Sequence, residues 1–210
     1  MRRRPPEAQG RASQSRRDID TVEPRRRFLI ICEGENTEPD YFRAFRTPGL
    51  IVTVDGTGKN TLTLVDQAIE TRDRLSSKCQ YDECWCVFDR DSFPKDHFNN
   101  AVFKAEANGF EVGYSVQSFE LWYLLHFDYC DSALHRSSYG DRLTDKLEQK
   151  YVKSANMSKQ MYVLLHPHIH KAIENATRLC ANYTSETPEK RDPCTTVHIL
   201  VERLIQNAAP

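Results

Sequence analysis

Cys84-Trp85-Cys86-Val87-Phe88-Asp89-Arg90-Asp91 decides the fold: five apolar residues in a row, closed by two aspartates one residue apart. The same construction stands earlier, where Phe28-Leu29-Ile30-Ile31-Cys32 runs straight into Glu33-Gly34. A short, unbroken apolar run ending in a charged turn is the pattern of a strand buried on both faces of a parallel sheet. In an open α/β sheet, the residues just past the strand C-termini line the ligand crevice. Glu33, Asp89 and Asp91 are therefore candidates for one cluster of hard oxygen ligands, suited to Mg²⁺ or Mn²⁺.

Outward from these runs, strand and helix patterns alternate. A short helix opens at Glu38 with Tyr41, Phe42 and Phe45 on one face, and Leu50–Val54 reads as a second strand. The turn Asp55-Gly56-Thr57-Gly58 leads into a helix over Leu62–Ser77. Strand 84–88 is followed by a helix over Asp96–Ala107, stopped at Asn108-Gly109, and by a strand over Phe110–Val116. This order predicts an α/β fold, a Rossmann-like parallel sheet of about four strands with right-handed crossovers. With the first and third strands adjacent, Glu33 meets the Asp89/Asp91 pair at the switch point. Beyond residue 117 the pattern is helical, over Phe119–Phe127 and near 140–152, 158–166, 168–183 and 195–206. The expected organisation is a disordered basic tail (1–26), an α/β core (27–117) and a helical extension packed on it (118–210).

Composition narrows the setting. At 210 residues the chain can bury one sizeable core. Its apolar runs are far too short to cross a membrane, and no apolar segment follows the Arg-rich start as in a secretory signal. Seven cysteines, several inside apolar runs, point to free thiols in a reduced cytoplasm. Residues 1–27 carry nine Arg against Glu7, Asp18, Asp20 and Glu23, so +5 there leaves −6 for the rest. Such a tail suits non-specific contact with nucleic-acid phosphates or plain solvation. The acidic body excludes a simple electrostatic nucleic-acid binder and agrees with an enzyme that holds its substrate partly through metal ions.

Phosphodiester cleavage needs charge neutralised on the phosphoryl group and a nucleophile made or oriented; a carboxylate-held metal does both. Asp-x-Asp lets two carboxylates flank one cation, because alternate residues of an extended segment share a side. Other motifs have plainer readings. Asp55-Gly56-Thr57-Gly58-Lys59-Asn60-Thr61 fails the phosphate-loop spacing and reads as a turn and helix cap, with Lys59 as a candidate phosphate contact. Asp89-x-Asp91 with Gly140-Asp141-Arg142-Leu143-Thr144-Asp145 mimics haloacid-dehalogenase phosphatases, but the polar residues before Gly140 are no buried strand. His166-Pro167-His168-Ile169-His170 and Cys84-x-Cys86 lack zinc-site spacing. The aromatic stripe Phe119, Trp122, Tyr123, Phe127, Tyr129 reads as core before it reads as a base-stacking platform. Glu120, near a helix start, is favoured there by the helix dipole alone.

The order strand-Glu-Gly, then strand-Asp-x-Asp, resembles the TOPRIM domain of topoisomerases, primases and related nucleases. More closely, Ile31-Cys32-Glu33-Gly34-Glu35-Asn36-Thr37-Glu38-Pro39-Asp40-Tyr41-Phe42 resembles the opening motif of the RloB family. Phe119-Glu120-Leu121-Trp122-Tyr123-Leu124-Leu125-His126-Phe127 resembles its central helix, and Asp192-Pro193-Cys194-Thr195-Thr196-Val197-His198 its C-terminal segment. The similarity spans about residues 27–207. It implies a TOPRIM-like fold and a metal-dependent nuclease, encoded beside an ABC-type ATPase in bacterial abortive-infection loci. Glu33 would be the general base or shared ligand, Asp89 and Asp91 metal ligands, and Thr37, Glu38 and Glu120 site-adjacent. A non-catalytic module binding nucleic acid or the ATPase is the rival. One departure bears on the site: the family usually has Ser-Asn-Pro before Phe-Glu, where this chain has Ser115-Val116-Gln117-Ser118.

Overall fold

Alternation within the two apolar runs determines how the sheet is covered. The computed structural model describes residues 25–45, 50–58, 61–90 and 95–208. Lys59, Asp91 and the first 24 residues of the basic tail lie outside the described residues. Four strands, β1 (Arg26–Cys32), β2 (Leu50–Gly56), β3 (Glu83–Arg90) and β4 (Glu111–Val116), form one parallel sheet in the order β2-β1-β3-β4. Phe28, Ile30 and Cys32 turn to one face with Trp85 and Val87, while Leu29 and Ile31 turn to the other with Cys86 and Phe88. All are buried, so both faces of the central strands are covered, while β2 at the edge is half-buried.

The crossovers set the crevice. α1 (Thr37–Arg43) connects β1 to β2, α2 (Thr61–Ser76) connects β2 to β3, and α3 (Lys95–Ala107) connects β3 to β4. The chain thus leaves β1 in one direction and returns on its other side, which makes β1/β3 the switch point. α2 and α3 cover the Leu29 face through Leu64, Ala68, Phe98 and Ala101. The Phe28 face is covered by α1 together with α4 (Glu120–Leu125), α5 (Ser138–Leu147), α6 (Ala155–Leu165), α7 (Ile169–Cys180) and α8 (Val197–Gln206). The helices beyond residue 117 therefore complete the sheet's own core, with Trp122, Met161, Ala176 and Leu200 in the same cluster as Phe28 and Val87.

Three details differ from the sequence expectation. β1 begins at Arg26, inside the stretch assigned to the tail, and Arg26 pairs with Glu83 across the sheet at 3.4 Å. α5 stops at Leu147, where Glu148 takes a left-handed φ of 53°. The last helix starts at Val197, because Thr195 just before it makes an antiparallel bridge to Ser115 of β4. There Val116 N–H donates to Cys194 O and Thr196 N–H to Tyr114 O, both at 2.8 Å, so β4's edge groups are satisfied. Gly140 and Asp141 lie within α5, so the dehalogenase arrangement lacks its strand. His166, His168 and His170 are exposed, whereas Phe119, Trp122 and Tyr123 are core. Among the described residues no helix is long and apolar enough to cross a membrane.

Candidate functional site

Glu33 and Asp89 end neighbouring strands, but strand parity sends their side chains to opposite faces. Glu33 continues the Leu29–Ile31 parity towards α2, its N–H donating to Val87 O at 2.9 Å. Its Oε1 accepts from the Thr61 hydroxyl at 3.3 Å, at the start of α2. Its Oε2 accepts from the Asp89 backbone N–H at 3.1 Å. The turn before α2 is clamped by Thr57 N–H to Cys32 O (3.0 Å) and Gly58 N–H to Glu33 O (2.9 Å). Gly58 takes φ +62°, a conformation that glycine adopts without strain. The 56 residues separating Glu33 and Asp89 are thus closed by one side-chain-to-backbone hydrogen bond.

Asp89 follows the Trp85–Val87 parity into the space between α1 and α4. Its Oδ2 accepts from Phe119 N–H at 2.9 Å. Its Oδ1 is buried without a hydrogen-bond partner among the described residues. Two further buried carboxylates act on it electrostatically, Glu38 from the first turn of α1 and Glu120 from the first residue of α4. Burial, reinforced by the negative charges of Glu38 and Glu120, pushes the Asp89 carboxyl well above the usual carboxylate range. Burial likewise raises Glu38, and the Glu120 charge adds to it. Glu120 goes the other way. Burial opposes its charge, but the Lys153 ammonium and hydrogen bonds from Ser118 and Tyr151 hold its carboxyl below the ordinary value. Lys153 Nζ lies 2.8 Å from Glu120 Oε1, Tyr151 O–H donates to the same oxygen at 2.9 Å, and Ser118 O–H donates to Oε2. Gly34 makes the cluster compact, since a Cβ there would overlap Glu38 Oε2.

The structure thus brings Glu33 and Asp89 together through a backbone group, and the charges of Glu38 and Glu120 reach the Asp89 carboxylate. Thr37 contributes its carbonyl, which accepts from Tyr123 O–H at 3.4 Å. Sequence reasoning missed Lys153 and Tyr151, which lie in a polar stretch after α5 with no periodic signal. It also missed Arg90, whose parity opposes that of Asp89. Arg90 donates to Glu189 O and to Asp192 Oδ2, both at 3.0 Å, and so anchors the segment before α8 to the end of β3. The turn that departs from the expected Ser-Asn-Pro places Gln117 at φ 77°, a left-handed position that asparagine tolerates more readily. Gln117 is held there by its N–H to Arg90 O (3.0 Å) and its Nε2 to Asp192 Oδ2 (2.8 Å).

Among the described residues no three His, Cys, Asp or Glu groups already form a set that could hold one metal ion. The chemistry of the donors nevertheless fits a hard divalent cation. Asp89 Oδ1 is an unpartnered buried acceptor in a carboxylate-rich space, and such an atom is costly to leave unsatisfied. With these positions in place, comparison with known proteins gives one result: a family model described as RloB-like protein matches residues 28–204. No curated protein and no solved structure matches.

Proposed function

The chain belongs to the RloB-like family, and from its carboxylate crevice we propose that it is a Mg²⁺- or Mn²⁺-dependent nuclease that cleaves phosphodiester bonds in RNA or DNA. The observation that carries the reading is Asp89: a strand-end carboxylate at the β1/β3 switch point, with Oδ1 unpartnered and its charge disfavoured by Glu38 and Glu120. A divalent cation relieves that charge and supplies Lewis-acid stabilisation of the phosphoryl oxygens. Asp89 Oδ1 would hold it, with Asp91 as the second Asp-x-Asp carboxylate. Glu33 is fixed by Thr61 and by the Asp89 N–H, so it can orient or deprotonate the attacking water or hydroxyl. Glu120, held ionised by Lys153, keeps the wall of the crevice negative.

The family resemblance supports a cytoplasmic effector of bacterial anti-phage defence, working with an ABC-type ATPase. The test uses the full chain, alone and with the co-expressed ATPase, on labelled tRNA, single-stranded RNA and duplex DNA. Cleavage that needs Mg²⁺ or Mn²⁺ and vanishes in Asp89→Asn is expected. Cleavage that survives Asp89→Asn, or nucleic acid bound but never cut, would overturn the nuclease reading in favour of a binding module.

A further inference from the structure

Cys180, the last residue of α7, and Cys194, on the segment along the β4 edge, face each other with their sulfurs 3.0 Å apart. Both are free thiols; Cys180 is half-buried and Cys194 fully buried. Neither takes part in the carboxylate crevice. A disulfide bond is about 2.05 Å, so bonding asks the two sulfurs to close by about 1 Å. We propose that Cys180 and Cys194 form a redox modification site, converted reversibly to a disulfide by a peroxide-class oxidant.

The two positions are not equivalent. Cys180 is the sulfur on the exposed side, so it meets the oxidant, and Cys194 waits behind it. Contact with Cys194, in which either sulfur can donate, and the nearby Arg191 charge lower the Cys180 thiol against its burial, while Cys194 is raised; the Cys180 S–H donates to Thr195 O at 3.2 Å. In the first step the Cys180 sulfur gives up its proton and attacks one peroxide oxygen. An S–O bond forms, the O–O bond breaks, and the departing hydroxide takes a proton to become water. In the second step the Cys194 sulfur gives up its proton and attacks the Cys180 sulfenic sulfur. An S–S bond forms, the S–O bond breaks, and water leaves with that proton. Two thiols are oxidised and one hydrogen peroxide is reduced to two waters.

The bond would tie the end of α7 to the strap that carries Asp192, the residue that receives Arg90 and Gln117 beside the crevice. Oxidation therefore stiffens that strap. The experiment treats the full reduced chain with hydrogen peroxide, alkylates the remaining thiols under denaturing conditions and maps the peptides by mass. The expected product links the Cys180 and Cys194 peptides, is reversed by dithiothreitol, and slows amide exchange over residues 191–196. The other five cysteines stay alkylatable. Cys180→Ser, at the half-buried position, should fold and give no link. Recovery of both cysteines alkylated after peroxide, of Cys180 as sulfinic acid beside reduced Cys194, or of a link to another cysteine would overturn the proposal.

Discussion

Replacing Asp89 by asparagine should stabilise the metal-free protein while abolishing its activity. The substitution keeps an oxygen for the Phe119 N–H and puts an NH₂ group where Oδ1 now has no partner among the described residues. The Glu38 and Glu120 charges that disfavour the Asp89 carboxylate act on a neutral amide far less. Leaving a buried polar atom unsatisfied costs roughly 1–3 kcal/mol, so relief of about that size is expected at neutral pH. For a chain of this length it corresponds to a rise in Tm of roughly 2–12 °C. The pH dependence gives the sign. Because the folded Asp89 carboxyl is raised above its unfolded value, its contribution to stability is fully present below the unfolded value and is lost as pH rises through the folded one. The gain from Asp89→Asn should therefore be largest at neutral pH and shrink towards mild acid. Thermal unfolding in EDTA, followed by circular dichroism across that range, measures it. Added Mg²⁺ should raise the wild-type Tm and leave the variant unmoved. A variant less stable than wild type at neutral pH in EDTA, or one equally stabilised by Mg²⁺, would refute the reasoning.

Other perturbations separate the packing from the charge. Gly56→Ala would put a Cβ 2.5 Å from Gly34 O and 2.7 Å from Pro39 Cγ, so a loss of about 1–3 kcal/mol in urea unfolding is expected. Gly113→Ala, whose nearest contact would be Val87 Cγ2 at 3.5 Å, should lie within about 0.5 kcal/mol of wild type. Gly34→Ala drives only the flexible end of Glu38 aside, so it should leave urea stability nearly intact while weakening the Mg²⁺-dependent rise in Tm. Lys153→Met removes the counter-ion of buried Glu120; Lys153 itself is 55% exposed, so the loss is discounted to about 1–2 kcal/mol. Glu120 is depressed in the folded state, so this loss should be full at neutral pH and fade as pH falls through the carboxylate range, read from urea unfolding at several pH values.

The strands and their order were legible because a doubly buried parallel strand leaves an apolar run that nothing else in this chain imitates. Phe28–Cys32 and Cys84–Phe88 marked β1 and β3; their adjacency was the condition for Glu33 to meet Asp89, and the order β2-β1-β3-β4 fulfils it. The direction of the side chains was harder to see. Counting parity from Cys32 and Phe88 would have put Glu33 and Asp89 on opposite faces, but a strand-end residue is ordinarily read as loop, where parity has no hold. Glu38 and Glu120 were visible only through the family resemblance, since a glutamate in a first helical turn is also good capping chemistry. Lys153 and Tyr151 were invisible, because their role arises from how the segment after α5 folds back over α4. Thr195 and Thr196 were hidden inside a helical pattern, and it is the open edge of β4 that Thr195 bridges.

The central claim is that Asp89 Oδ1 holds a divalent cation. Crystals soaked in Mn²⁺ and measured for anomalous scattering test it without a substrate or a trigger. The account predicts a peak about 2.1 Å from Asp89 Oδ1, lost in Asp89→Asn crystals. No peak at high Mn²⁺, with Oδ1 instead capped by Lys153 or an arginine, would contradict it.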